Sequence, residues 1–208
     1  PGMSIVTVYG RNPDNDAASG FETVWNGGGI YSGQNATAAE TVEVFSSDAT
    51  DNSTGVGART ARFTGLNGSG AITTETVILN GVTAVETVNT YKRFIRLEVI
   101  SAGATGWNVG TITTRQKTTT ANIFCVVPIG TNHSAVGAYT IPAGKTGYLR
   151  YWSVTESCAT VSPNVEFRLM QRQTGEVWQV HDTCFLSDSS NNVHTRDYPL
   201  YTDEPLLA

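Results

Sequence analysis

Charge is scarce in this sequence: only 15% of its 208 residues are Asp, Glu, Lys or Arg, and the formal balance is −5 from 13 basic and 18 acidic groups. Without a Lys/Arg cluster the chain lacks the electrostatic footprint that neutralises phosphates, so nucleic acid is not an expected partner. Cysteine is scarce too, with three in the chain. Cys125, Cys158 and Cys184 form no CxxC, their odd number cannot all pair within one chain, and no histidine stands at ligand spacing to any of them. Reduced, half-buried thiols are the expectation, in a protein assembled in a reducing cytoplasm. Neither a long unbroken apolar run nor a signal-type hydrophobic stretch occurs, so no membrane association is expected. No extended segment carries an apolar stripe of helical period, which argues against long helices.

Catalytic signatures are equally thin. His133, His181 and His194 make no HxH, HxxxH or HExxH arrangement, and no Gly-x-Ser-x-Gly elbow exists. The glycines of Gly65-Leu66-Asn67-Gly68-Ser69-Gly70 join strands instead of opening a helix, so they supply no phosphate cradle. Carboxylate pairs such as Glu40/Glu43 and Asp182/Asp188 read as ordinary polar outcroppings of strand faces and loops. Asn12, Asp14 and Asp16 have the spacing of a calcium loop, but Ala17 and Thr23 stand where a glycine and a bidentate glutamate belong; an Asx-turn is expected. The Ser46–Gly57 loop, with Asp48 and Asp51, reads as exposed, mobile and solvated rather than as a cation site. The expectation is a non-enzyme without a cofactor or metal.

What the sequence does contain is β pattern and tight turns. Thr73–Leu79 and Val82–Val88 are β-rich runs separated by Asn80-Gly81, a pair that tolerates a type I′ turn, and they predict a hairpin. Ala61 and Phe63 alternate with Thr60, Arg62 and Thr64, and Ile95, Leu97 and Val99 with Arg96 and Glu98, which predicts two further strands. Glu40–Phe45, Trp107–Thr113, Ile123–Val127, Ala135–Ile141, Tyr148–Val154 and the hairpin Val165–Gln171/Val177–His181 complete the set. The polar run Thr114–Thr120 has no apolar periodicity and reads as a domain boundary.

The fold class expected is therefore all-β and β-sandwich or jelly-roll-like, with two small antiparallel domains: residues 31–117 hairpin-rich, residues 118–208 a second sandwich. Residues 1–30 read as an extended N-terminal arm, with Ser4–Tyr9 alternating weakly as a short strand. Arms of this kind dock on neighbouring subunits, and the candidate partner-binding residues are Asn12, Pro13, Phe21, Trp25, Ile30 and Tyr31. The aromatics Trp107, Tyr148, Tyr151, Trp152, Trp178 and Tyr198 are expected to fill cores, with a carbohydrate platform as the alternative, since flat rings also stack on sugar faces.

The blocks Gly55-Val-Gly-Ala-Arg-Thr-Ala-Arg-Phe-Thr-Gly-Leu, Glu75-Thr-Val-Ile-Leu-Asn-Gly-Val-Thr-Ala-Val and Val109-Gly-Thr-Ile-Thr resemble structural proteins of tailed-bacteriophage virions. Gly10-Arg-Asn-Pro-Asp, Glu22-Thr-Val-Trp and Tyr139-Thr-Ile-Pro-Ala-Gly-Lys-Thr-Gly-Tyr-Leu are similar to further blocks of the same group, so the resemblance touches both halves. It implies a particle component with no catalytic residues: a capsid decoration (cement) protein at the virion surface, assembled in the bacterial host cytoplasm, whose partners are the major capsid protein and other copies of itself in a homo-oligomer, a trimer by expectation. The alternative it leaves open is a tail or neck component that binds a receptor or glycan.

Overall fold

The structure is a computed structural model that describes residues 4–14, 20–157, 165–173, 175–186, 193–199 and 205–206, the last two segments as backbone. Asp16, Ala17, Cys158 and Asp188 lie outside the described residues, as do the side chains of His194 and Tyr198. The chain is all-β and sandwich-like. Its strands are β1 (Val42–Ser46), β2 (Ala58–Leu66), β3 (Ile72–Ile78), β4 (Val85–Glu86), β5 (Arg93–Ala102), β6 (Ile112–Gln116), β7 (Ile123–Val127), β8 (Gly147–Tyr148), β9 (Tyr151–Ser157), β10 (Val165–Gln171), β11 (Gln179–Leu186), β12 (Val193–Pro199) and β13 (Pro205–Leu206). The one helical element among the described residues is a 3-10 turn at Ser32–Gln34, and no helix is long and apolar enough to cross a membrane.

Two compact units divide the chain, Pro1–Pro142 and Ala143–Ala208. The first holds a four-stranded antiparallel sheet, β4-β1-β6-β7, and a three-stranded one, β3-β2-β5. Both contribute to one core: alternation sends Val42 and Val44 of β1, Ala61 and Phe63 of β2, Ile112 of β6 and Cys125 and Val127 of β7 inward, and a bulge opposite Thr114/Arg115 adds Phe124. Phe63 is its centre, with ring centroids 4.6 Å from Tyr91, 5.5 Å from Phe94 and 6.0 Å from Phe124. On β5 the expected inward set Ile95, Leu97 and Val99 is out of phase at one end. Ile95 is the extra residue of a bulge opposite Thr64/Gly65, so Phe94 and Leu97 are the fully buried pair.

The boundary expected after residue 117 falls inside the β6–β7 hairpin, which pairs Ile112 with Val127 and Thr114 with Cys125. The Thr114–Thr120 run misleads because β6 buries polar side chains. Thr114 Oγ1 lies 3.2 Å from Cys125 Sγ, and Gln116 Nε2 donates to the Ala38 carbonyl at 2.9 Å while its Oε1 accepts from Asn122 Nδ2 at 2.7 Å. Each inward group has its hydrogen bond, so burial costs little.

The hairpin expected across Asn80-Gly81 does not form. β3 pairs with β2 and β4 with β1, so this turn carries the chain from one sheet to the other. Gly81, at φ +58°, is pressed on the 46–52 loop: a Cβ there would stand 2.8 Å from Ala49 Cα, and its N–H donates to the Asp51 carbonyl at 2.8 Å. That loop is not an open one. Asp51 is fully buried, and its carboxylate accepts from the Ser46 hydroxyl at 2.6 Å, Ala58 N–H at 2.7 Å, Val109 N–H at 2.9 Å and Gly110 N–H at 2.8 Å. One side chain thus ties the end of β1, the start of β2 and the approach to β6, which also explains why Trp107–Gly110 is a pinned loop and the strand begins only at Ile112. Trp107 itself stays half exposed there, between Thr105 and an Asn108–Asn132 pair whose side-chain oxygens accept each other's backbone N–H at 3.0 Å.

The second unit pairs β8 with β13, β9 with β12 and β10 with β11, all antiparallel. The β10–β11 hairpin forms where the pattern predicts it, with Gly175 at φ +87° and Glu176 N–H donating to the Gln173 carbonyl. A bulge at Leu169/Met170 changes its phase, so Cys184 and Leu186 are buried while Met170 and Val180 face solvent. Ala135–Ile141 contains no strand, only an isolated bridge from Val136 to Trp25.

Candidate functional site

The residues singled out in the N-terminal segment part company in the structure. Trp25 and Tyr31 are core residues at 4% and 6% exposure, whereas Pro13, Phe21 and Ile30 face solvent. The segment is therefore not one free arm of thirty residues: its second half is built into the first unit. Asn26-Gly27-Gly28-Gly29, which reads as a breaker, is a loop folded around its own tryptophan. The indole Nε1–H donates to the carbonyls of Gly28 at 2.8 Å and Gly29 at 3.2 Å, and a Cβ on Gly27 would lie 2.3 Å from the Trp25 ring. Gly28 and Gly29 take φ of +68° and +61°, the left-handed region that glycine enters without strain.

Tyr31 completes the anchor. Its ring packs 5.1 Å from Trp25, and its hydroxyl donates to the Phe124 carbonyl of β7 at 2.9 Å. Burial pushes that hydroxyl well above the ordinary tyrosine range. Ser32 Oγ accepts the Ile123 N–H at 3.0 Å, so the two residues together cap the outer edge of β7. Val24, Trp25 and Asn26 meanwhile line up with 135–137 through Asn26 N–H to Ala135 and Gly137 N–H to Val24. Gly10 fits against this seam so closely that a Cβ would come within 2.4 Å of the Val24 carbonyl oxygen and 2.6 Å of Gly137 Cα. Asn12 holds the next corner, donating to Glu22 Oε2 at 2.7 Å and accepting the Asp14 N–H at 3.0 Å, which is the expected Asx-turn.

Before Gly10 the chain leaves the body. Ile5 is 92% exposed, and Val6, Val8 and Tyr9 are exposed with it; Phe21, Val24 and Ile30 add apolar surface on the anchored part. Among the described residues, the backbone of Ser4–Tyr9 makes no hydrogen bond. The sequence flagged Ser4–Tyr9 as a weak strand but did not put Ile5, Val6, Val8 and Tyr9 among the binding residues. The available signal was the absence of any charged side chain before Arg11. No protein-family model, curated protein or solved structure matches this chain.

The remaining candidates are polar or aromatic. Among the described residues no group of three His, Cys, Asp or Glu side chains could hold a metal ion. Asp48 accepts from the Thr50 N–H and hydroxyl at 2.7 and 2.6 Å, bonds that lower its pKa from the ordinary aspartate value, while Asp51 is engaged in the knot described above. Glu40 is likewise held below the usual glutamate value by the Thr119 hydroxyl and the Thr118 and Thr119 N–H groups. In the second unit Tyr148, Tyr151 and Trp178 are exposed, with the Arg172 guanidinium 4.6 Å above the Trp178 ring, whereas Trp152 donates to Asp182 at 3.0 Å. Trp107 belongs to the first unit.

Proposed function

We propose that this chain is a non-enzymatic structural protein of a tailed-phage virion, a decoration (cement) protein at the capsid surface that binds the major capsid protein and further copies of itself. The observation that carries the reading is the apolar N-terminal segment. Exposed Ile5, Val6, Val8, Tyr9, Phe21 and Ile30 are strung along a chain whose foot is fixed by Trp25 and Tyr31 in the core. Apolar side chains exposed along one segment suit a surface that another protein covers, and the buried anchor tethers that segment to the first unit. The resemblance of the Gly55–Leu66, Glu75–Val85 and Tyr139–Leu149 blocks to virion proteins supplies the particle. Work of this kind is mechanical: interface buried between shell subunits raises the force needed to separate them.

The test is the copy number of the chain relative to the major capsid protein in purified virions, by quantitative mass spectrometry. A count in the hundreds is expected for a decoration protein, and absence from the particle overturns the proposal. A count matching the low-order symmetry of the tail would instead favour the second reading, a tail or neck component with a glycan or receptor site. Exposed Tyr148, Tyr151 and Trp178 in the second unit support that reading, which requires soluble sugars to quench tryptophan fluorescence.

A further inference from the structure

A sheet edge exposes a row of unpaired backbone groups, and three of the four edges in the first unit are protected. β7 is capped by Tyr31 and Ser32. β5 is covered by residues 132–134, with Val99 N–H donating to the Asn132 carbonyl at 2.7 Å and Ser134 N–H to the Leu97 carbonyl at 3.0 Å. β4 is only two residues long. β3 is the exception. Its ladder with β2 is bracketed by bonds from Asn67 N–H to Ala71 and from Leu79 N–H to Arg59, so by antiparallel alternation the odd-numbered residues 73, 75 and 77 face β2. The N–H and C=O groups of Ile72, Thr74, Thr76 and Ile78 therefore point to the open side, and the side chains of all four are exposed. Val88 stands beside this edge at 88% exposure, fixed by its N–H bond to Glu75 Oε1 at 2.7 Å.

We infer that Ser4–Tyr9 of one copy adds as a strand to the β3 edge of a second copy. Donor and acceptor match in kind. Each is an extended, uncharged row of unpaired backbone groups; the one charged residue of β3, Glu75, has its carboxylate occupied by Val88 and Asn89. The donor carries Ile5, Val6, Val8 and Tyr9, and the acceptor offers Ile72, Ile78 and Val88. Main-chain bonds would supply the attachment and the alternate side chains its register.

The partner is another copy, not the chain's own edge, because of where the segment leaves the body. Tyr9 lies 6.5 Å from the His133 ring, and His133 is bridged to Glu98 of β5, on the far side of the sheet from β3. Reaching the open side of β3 from there crosses four strand spacings, about 19 Å of the roughly 20 Å that six extended residues span, which leaves none to pair. A donor at one edge and an acceptor at the other form a heterologous, head-to-tail contact, which closes into a ring or runs on as a filament. This inference stands apart from the virion reading and is tested on the purified chain.

The experiment uses two variants and sedimentation. Removing the residues before Gly10 leaves a chain that accepts but cannot donate. Thr76→Pro leaves one that donates but cannot accept, and because the Thr76 N–H points away from β2 the proline deletes no ladder bond. The intact chain is expected to sediment as a multimer of 22.2 kDa subunits, each variant alone as a monomer, and their equimolar mixture as a 1:1 heterodimer. A monomeric intact chain, a variant that retains the full assembly, or a mixture that stays monomeric each overturns the inference. Should the proline disturb folding by circular dichroism, Thr76→Lys with Val88→Lys blocks the same edge by charge and must give the same mixing result.

Discussion

Replacing Asp51 by alanine is expected to destabilise the first unit by about 4 kcal/mol. The wild-type carboxylate is fully buried and accepts four hydrogen bonds, three from backbone N–H groups of Ala58, Val109 and Gly110 and one from the Ser46 hydroxyl. A methyl group strands all four donors. Each buried donor left without an acceptor costs roughly 1–3 kcal/mol; the serine hydroxyl can rotate to another partner, and the desolvation of the carboxylate is no longer incurred, which brings the sum down to about 4. Asp51→Asn keeps the volume and up to two of the acceptances but turns an NH2 towards the remaining donors, so about half of that loss is expected. Because the two units need not unfold together, a global melting curve is a poor readout. Native-state hydrogen exchange at the Val109 and Gly110 amides, combined with urea unfolding of the same sample, isolates the first unit. A loss below about 1 kcal/mol in the alanine variant, with those amides still protected, would refute the view that this side chain ties the strands together.

Two further perturbations probe the anchor and the core. Gly27→Ala places a methyl group against the Trp25 ring, so the loop must open; a red-shifted tryptophan emission and a loss of about 1–3 kcal/mol are expected, against no change if the loop is merely a spacer. Alkaline pH should weaken the first unit: burial pushes the Cys125 thiol to about 12 from 9.0 and the Tyr91 hydroxyl to about 12 from 10.0, so the folded state holds protons that the unfolded state releases. That stabilisation is complete below pH 9 and is lost as pH rises towards 12, with about 4 kcal/mol from the buried cysteine alone; Cys125→Ala should flatten that part of the profile, and an unchanged slope in the variant would count against it.

The parts of the fold that the sequence makes legible are those where one rule suffices. β2 declares itself because Ala61 and Phe63 alternate with Thr60, Arg62 and Thr64, and the β10–β11 hairpin because a Gly-containing turn separates two β-rich runs. Alternation fails where the inward residue is polar, as at Thr114 and Gln116: period alone cannot reveal that Cys125, Ala38 and Asn122 wait to satisfy them. It also says nothing of which strand a neighbour in sequence will pair with. Asn80-Gly81 is a competent reversal in either setting, and the close seat of Gly81 on Ala49 and Asp51 decides for a crossing between sheets. In the candidate site, the segment was legible and the facing was not. Trp25 and Tyr31 lie in irregular backbone without a period, so only the distant partners Phe124 and Val136 fix them inward. Asp51 was hidden for the same reason, since three of its four donors come from residues outside its own loop's turn chemistry.

The Tyr31–Phe124 hydrogen bond joins residues 93 positions apart, and this sets an order on biosynthesis. At about 5–20 residues per second, a ribosome takes roughly 5–20 s to make the strand edge that the tyrosine caps. Throughout that interval Trp25 and Tyr31 have no seat, and the sheet that will hold them lacks its outermost strand. The first unit cannot close from its N-terminus onwards; closure waits for β7 and for the 135–137 seam that receives Val24. Long-range pairing of this kind makes folding slow, and it leaves Trp25 and Tyr31 in water while the chain is being made. Once the unit is shut, opening the N-terminal anchor means stripping the β7 edge of its two caps, the Tyr31 and Ser32 hydroxyls.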